Sequence, residues 1–282
     1  MSKNIWNTDL SGKVVVITGA GGVICSRFAK VVARAGAKVA LLDRNRERSR
    51  SFADEIVSEG GIAQEFVCDV LDKQNCIEVA EQIRSSLGGC DILINGAGGN
   101  NPNATTDHEY LEGDIDPEVK SFFSLTEEGI RQVLDLNFLG TLIPTQVFAQ
   151  QMIGKSGCCI LNISSMNAYR PLTKIPAYSG AKAAVSNFTQ WLAVYFSRVG
   201  IRVNAIAPGF FSTAQNATLL WNADGSPTDR TRKILDSTPM SRFGDVAELE
   251  GSLLFLLDCK ASGFVTGVVI PVDGGFSAYS GV

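Results

Sequence analysis

A single histidine, His108, in 282 residues closes off more chemistry than any other feature of this chain. Zinc sites built on several imidazoles and HExxH metalloprotease motifs are excluded, and no metal site is expected. A Ser-His-Asp hydrolase would have to use His108, and no GxSxG turn accompanies it. The seven cysteines are odd in number and scattered (Cys25, Cys68, Cys76, Cys90, Cys158, Cys159, Cys259), with no CxxC. They are expected as buried thiols of a reducing, cytoplasmic compartment, not as a disulfide framework or a cluster site. Basic charge is short too: 25 Lys plus Arg face 29 Asp plus Glu, a formal charge of −4. That balance argues against a phosphate-neutralising surface, so no nucleic-acid partner is expected. No apolar stretch reaches the roughly 18 residues of a membrane helix, so no membrane contact is expected either. Met1 to Lys13 lacks the apolar segment of a secretory signal. Asn103, Asn162 and Asn216 each open an N-x-S/T triplet, expected to be chance in a chain with no export signal.

Apolar residues are abundant: 45% hydrophobic against 19% charged supports a large core and excludes disorder. Short β-branched runs alternate with longer helical ones. Strands are expected at Val14 to Ile17, Val39 to Leu42, Ile62 to Val67, Ile92 to Ile94, Cys159 to Ile163, Arg202 to Ile206 and Val265 to Pro271. Helical patterns run from about Ile24 to Ala35, stopped at Gly36, then through an Arg- and Glu-rich segment, and from about Lys73 to Leu87. Continuous apolar strands alternating with helices predict a parallel sheet covered on both faces. Seven in this order predict one α/β, doubly wound (Rossmann-type) domain over residues 1–282. Two stretches break the rhythm, a polar, turn-rich insert at about 99–129 and a segment at about 210–240. Both leave carboxyl ends of strands, where ligands bind in such sheets, and are expected as substrate loop and lid.

Thr18-Gly19-Ala20-Gly21-Gly22 joins the first strand to the first helix. Glycines there let backbone amides approach a pyrophosphate at the helix's positive end, although a tight turn alone would use them too. Asp43 ends the second strand about 20 residues on, where a carboxylate can bind the adenosine ribose diol. It would repel a 2′-phosphate, and no Lys or Arg lies between Gly19 and Ser26. NAD(H) is therefore preferred, while Arg44 keeps NADP(H) open. Asp69 after the third strand and Asn95-Gly96-Ala97-Gly98 after the fourth extend the same crevice.

The segment from Ser165 to Lys182 carries the reactive groups. Tyr178 and Lys182 are four apart at the start of an Ala-rich helical pattern and share a face. A tyrosine hydroxyl titrates near 10, so exchanging protons near neutral pH needs roughly 4 kcal/mol of help. A lysine ammonium one turn away favours the phenolate. Ser165, at a strand end, can hydrogen-bond a reacting carbonyl or alcohol oxygen. A surface Tyr-Lys pair is the bland alternative, but the strand-end serine and the upstream cofactor turn make it a poor one.

Thr18-Gly19, Asn95-Gly96-Ala97-Gly98, Ser165, Tyr178-x-x-x-Lys182 and Pro208-Gly209 together resemble the short-chain dehydrogenase/reductase family across essentially the whole chain. The resemblance implies a four-residue catalytic group. Asn137 would hold a water of the proton relay through a helix irregularity, and Ser165 would orient the substrate oxygen. Tyr178 would be general acid or base. Lys182 would lower its pKa and bind the nicotinamide ribose. It implies a cofactor held by Gly19, Gly22, Val23, Ile24, Asp43, Asp69, Val70, Asn95, Ala97 and Gly98, with Tyr178 and Lys182. Pro208 to Thr213, including Phe211, would cover the nicotinamide. One departure stands out: Val23 and Cys25 occupy the second and third glycine positions of the family's TGxxxGxG turn. Cys25 is expected as a small helix–sheet packing residue.

The stretch Met166 to Lys174 links Ser165 to Tyr178 and so passes close to any substrate. Arg170 and Lys174 are suited to pair with a carboxylate, or are solvated loop cations. Asn100, Asn101, Asn103, Thr105, Thr106 and His108 form a donor-rich set suited to hydroxyls. Within the family the chain is most similar to a D-mannonate oxidoreductase (fructuronate reductase) or gluconate 5-dehydrogenase-like branch. The similarity rests on Asn95 to Asn100, Leu134 to Thr141, Ser164-Ser165-Met166-Asn167 and Val272 to Val282. It implies reversible reduction of a keto-sugar acid such as D-fructuronate, with Asn100, Ser165, Asn167, Arg170 and Lys174 at the substrate. A neutral ketose or a 3-oxoacyl thioester is the alternative substrate. A non-catalytic dinucleotide sensor is the alternative class, though it would have no use for a tuned tyrosine. A homo-oligomer, tetramer or dimer, is implied on helices near Thr141 to Met152 and Ala177 to Arg198.

Overall fold

A computed structural model describes residues 8–113, 116–213 and 217–281. Met1 to Asn7, Asp114 and Ile115, Ala214 to Asn216, and Val282 lie outside them, and with them the first residue of the Asn216 triplet. The chain alternates β1 (Val14–Thr18), α1 (Val23–Arg34), β2 (Lys38–Asp43), α2 (Arg46–Ser58), β3 (Ile62–Val67), α3 (Lys73–Ser86) and β4 (Ile92–Asn95). After the insert come α4 (Glu127–Leu134), α5 (Gly140–Phe148), β5 (Cys158–Ile163), α6 (Pro176–Tyr195) and β6 (Ile201–Pro208). The segment after β6 carries α7 (Ala217–Leu220) and α8 (Asp229–Asp236), followed by α9 (Glu250–Leu257) and β7 (Val269–Val272).

The strands form one parallel sheet in the order β3-β2-β1-β4-β5-β6-β7, a doubly wound Rossmann-type fold. Alternate residues of each strand serve opposite faces. Val15, Ile17, Val39, Leu41, Ile92 and Ile94 pack with Phe28 and Val32 of α1 and Leu253 and Leu256 of α9. Val14, Val16, Ala40, Leu42 and Leu93 pack with Val79 and Ile83 of α3, Phe148 of α5 and Leu192 of α6. Both faces need apolar side chains, hence strands without alternation. The chain winds outward in opposite directions from β1 and β4, which opens a crevice at their carboxyl ends.

The seventh strand begins at Val269 rather than at Val265. Gly267 adopts a left-handed backbone (φ 83°) that interrupts the extended run. Residues 265–268 follow β6 through a mixture of contacts: Gly267 N donates to Val203 O (2.7 Å) and Ala205 N to Val268 O (2.9 Å), while Asn204 donates to Val265 O (3.0 Å) and accepts from Val268 N (3.1 Å). The segment at about 210–240 is less irregular than its sequence suggests, since it holds α8, a polar helix that buries only Thr231 and Ile234. Between α4 and α5 the helix widens into a π turn at Asp135–Leu139. No helix among the described residues is long and apolar enough to cross a membrane. Asn162, which opens one of the N-x-S/T triplets, is fully buried on β5.

A buried polar string ties the sheet to both site-bearing helices. Asn95 Nδ2 donates to Thr145 Oγ1 of α5 and to Asn162 Oδ1 (2.9 Å each), and Asn162 Nδ2 donates to Thr189 Oγ1 of α6 (2.9 Å). Replacing Asn162 by Ala strands a buried donor of Asn95 and leaves a cavity. Urea unfolding should show a loss of roughly 2–3 kcal/mol; a loss within error would mean the string is dispensable.

Candidate active site

The turn from β1 to α1 is built around contacts only glycine permits. Gly19 is left-handed (φ 65°), and a β-carbon there would come within 2.8 Å of the Ala97 backbone. Thr18 Oγ1 accepts from the amides of Gly96 (3.1 Å) and Ala97 (3.3 Å), joining the two loops of the crevice. Gly22 precedes α1 without a side-chain cap, so the first amides of the helix, near Val23 and Ile24, meet no capping oxygen. That arrangement binds anions. Asp43 is held in place: Gly21 N donates to Oδ2 (2.9 Å) and Asn45 N to Oδ1 (2.8 Å). Arg44 leans away toward Asp69 (3.9 Å). Val70 is buried, and a β-carbon on Gly140 at the start of α5 would lie 3.1 Å from its methyl. Uncapped amides, a glycine cradle and an oriented carboxylate in sequence along one crevice fit a dinucleotide. Asn95, expected to line this crevice, instead spends its side-chain amide in the core.

Across the crevice, four side chains from three elements converge. Asn137 sits in the π turn, fully buried, with Nδ2 donating to Gly99 O and Val133 O (2.7 Å each). The wider turn explains that aim, since it displaces one residue from the regular helical face. Lys182, on the second turn of α6, is buried and donates to Ile163 O (2.8 Å). A β-carbon on Gly98 would lie 2.6 Å from Asn137 Oδ1 and 3.2 Å from Lys182 Nζ, so both polar groups crowd over one glycine. The ammonium lies 5.6 Å from the centroid of the Tyr178 ring. The Ser165 hydroxyl is near enough to the Tyr178 phenol to pull its pKa down. Beyond β6, Phe211 is buried beneath Gly244 and Thr213 is half-buried two residues on.

The profile of the short chain dehydrogenase family matches residues 13–222. This chain belongs to that family. It is 60% identical over 276 residues to an uncharacterized oxidoreductase of Haemophilus influenzae, covering 98% of this chain and 97% of that one. A solved Haemophilus structure, proposed to be a D-mannonate oxidoreductase and carrying bound NAD, superposes with a TM-score of 0.96 at 60% identity. That match covers 98% of this chain and 99% of the other. A gluconate 5-dehydrogenase of Burkholderia cenocepacia, in complex with NADP and tartrate, gives 0.83 at 29% identity, covering 97% and 98%.

As a short-chain dehydrogenase/reductase the chain is an oxidoreductase, and its departure from the family's glycine turn has a structural answer. Cys25 is buried with its sulfur directly over Gly96, where any β-carbon would overlap it. The side chain gained on the helix is thus matched by one missing on the loop. Burial pushes this thiol up to about 12, which leaves it unreactive at neutral pH.

The substrate-side residues are placed less simply. Asn100 Nδ2 donates to Thr105 Oγ1 (2.9 Å), and Asn167 is buried with its carboxamide oxygen unpartnered. Arg170 donates to the carbonyl of Tyr279 in the C-terminal tail, and Lys174 to that of Asp107 (2.7 Å). Both acceptors are backbone atoms distant in sequence, which no residue pattern signals.

The direction of the Tyr178 shift differs from expectation. Burial pushes the phenol above its ordinary range, against a smaller downward pull from Ser165. Lys182 points at Ile163 O, and burial lowers it to about 8. A protonated phenol beside a charged lysine is therefore the neutral-pH state, poised to donate. For carbonyl reduction kcat/KM should stay flat below pH of about 8 and fall above it as Lys182 loses its charge. A fall beginning in acid would separate activity from Lys182. Tyr178→Phe should cut turnover by at least about a thousandfold while NADH binding, read by fluorescence, stays nearly intact.

Proposed function

We propose that this chain interconverts a keto-sugar acid and its hydroxy acid with NAD(H), D-fructuronate and D-mannonate being the pair. The observation that carries the reading is the convergence of Asn137, Ser165, Tyr178 and Lys182 beside a dinucleotide crevice, in a chain so close to the NAD-bound Haemophilus protein. The donor-rich insert supports a hydroxylated substrate over a long acyl chain.

In this reading Gly19, Gly22, Val23 and Ile24 hold the diphosphate on backbone amides, and Asp43 takes the ribose diol. Asp69, Val70, Ala97 and Gly98 line the rest of the crevice, with Pro208, Phe211 and Thr213 over the nicotinamide. When bound, NAD(H) donates or accepts the hydride. Ser165 orients the substrate oxygen, and Tyr178 passes its proton to that oxygen during reduction. Lys182 holds positive charge beneath the phenol, and Asn137 keeps a hydrogen-bonded route behind it. Arg170 keeps donors beyond the one given to Tyr279, and these recognise the substrate carboxylate, with Asn100 and Asn167 facing hydroxyls. The exposed, stacked Trp191 and Tyr195 of α6 (ring centroids 4.8 Å apart) support a homo-oligomer through that helix.

NADH oxidation with D-fructuronate, fructose and a 3-oxoacyl thioester tests the substrate class; turnover of the uronate alone is expected, and equal rates on fructose would end the sugar-acid reading. Arg170→Ala should raise KM for the uronate far more than for a neutral ketose. The fixed carboxylate of Asp43 supports NAD(H) over NADP(H). Asp43→Ser should shift the NADH/NADPH ratio of kcat/KM toward NADPH by about tenfold, or ~1.4 kcal/mol. An unchanged ratio would place the selectivity elsewhere.

A further inference from the structure

Lys174 stands two residues before α6 and four before Tyr178, and its backbone is left-handed (φ 71°). Among the described residues only one other non-glycine, Ser241, has a positive φ. Glycine would adopt this conformation without strain, so a lysine there calls for a reason in its side chain. The side chain has one. Its ammonium donates to Asp107 O (2.7 Å), while its own carbonyl accepts from Thr106 N (2.9 Å). Two adjacent insert residues are therefore gripped from both ends of one residue of the catalytic loop.

The grip continues into the insert. Asp107 N donates to Lys120 O (2.8 Å) and Lys120 N to Asp107 Oδ2 (2.7 Å), so the clasped residue closes the two limbs of the insert on each other. Two residues past Asp107, the Glu109 carboxylate pairs with Lys233 of α8 (2.7 Å). That pair is exposed on the lysine side and weak alone. Lys174 and Thr106 are half-buried, while the ammonium's bond to Asp107 O is exposed, so the clasp draws on two bonds from one residue acting together. A cavity of about 580 Å³ lies where these three segments meet, with Thr106, His108, Lys120, Lys174 and Lys233 among its walls.

We propose that Lys174 is a positioning residue for substrate binding: it clasps the insert to the loop that carries Ser165 and Tyr178, and so sets the shape of the substrate cavity. It does not itself hold the substrate carboxylate. The left-handed backbone turns both the carbonyl and the side chain toward the insert, and the strain is retained for that geometry. The proposal rests on the proposed function only for its kinetic arm.

Three variants test it. Lys174→Gly relieves the backbone and removes the ammonium; Lys174→Met removes the ammonium alone; Lys174→Arg keeps a donor. Hydrogen exchange, which needs no substrate, should speed up about tenfold at residues 102–113 and 116–122 in the Gly and Met variants, and recover in the Arg variant. Thermal stability of Lys174→Gly should equal or exceed that of the parent, because the strain is gone. With any carbonyl the parent reduces, KM should rise about tenfold for acidic and neutral substrates alike, with kcat within about twofold and NADH affinity unchanged. Unchanged exchange in the insert would overturn the clasp. A KM effect confined to acidic substrates would make Lys174 the carboxylate ligand and overturn it equally. If no sugar acid is reduced by the parent, the substrate reading falls while the exchange result still decides the clasp.

Discussion

The site is organised around one buried ammonium. Taking a lysine out of water is costly unless its donors find acceptors, and Lys182 finds a firm one in Ile163 O at the end of β5. That single bond fixes several things at once. It demands that the first turns of α6 lie against the carboxyl end of β5, which also brings Tyr178 to Ser165. It crowds Nζ toward Gly98, where a side chain of any size would collide with it and with Asn137. It leaves the charge only partly satisfied, which is why burial draws the lysine down to about 8.

Such a group needs a rigid frame, and the buried amides supply it. Asn95 and Asn162, on neighbouring strands, reach out to Thr145 and Thr189 on opposite sides of the site. In a low-dielectric interior these bonds have few competitors, so slippage of either helix would leave polar groups stranded. Thr141 and Thr145 carry the string along α5 by bonding the carbonyls four residues back, Asn137 O among them. The π turn is thereby held from both ends, and the Asn137 amide has no freedom to swing away. Cys25 over Gly96 adds a steric lock at the mouth of the cofactor crevice.

Much of this was legible from residue pattern. Apolar runs without alternation implied a sheet buried on both faces, and the observed parallel order bears that out. The four-residue spacing of Tyr178 and Lys182 placed them on one helical face because the period of a helix is local information. What failed to show in sequence depends on partners far along the chain. The late start of β7 follows from Asn204 and Thr266 competing with the ladder. The side chain of Asn95 is claimed by Thr145, and Arg170 by a carbonyl of the C-terminal tail. Helix α8 was hidden by its own composition: it is short and mostly charged, with too few apolar side chains to stand out from the polar segment around it.

The sign of the tyrosine shift shows why spacing alone does not settle reactivity. A lysine one turn along favours the phenolate only as far as its charge is near the oxygen and undiminished. Here the charge is turned toward a backbone carbonyl, and the same burial that raises the phenol lowers the amine. Desolvation acts on both charged forms, so it opposes the pair unless a further cation or donor enters the pocket. The protein by itself thus stores a neutral phenol beside Ser165, ready to release a proton to a developing alkoxide. Oxidation of an alcohol needs that preference reversed, and Tyr178 would then act as base only where a bound cofactor supplied positive charge near its oxygen.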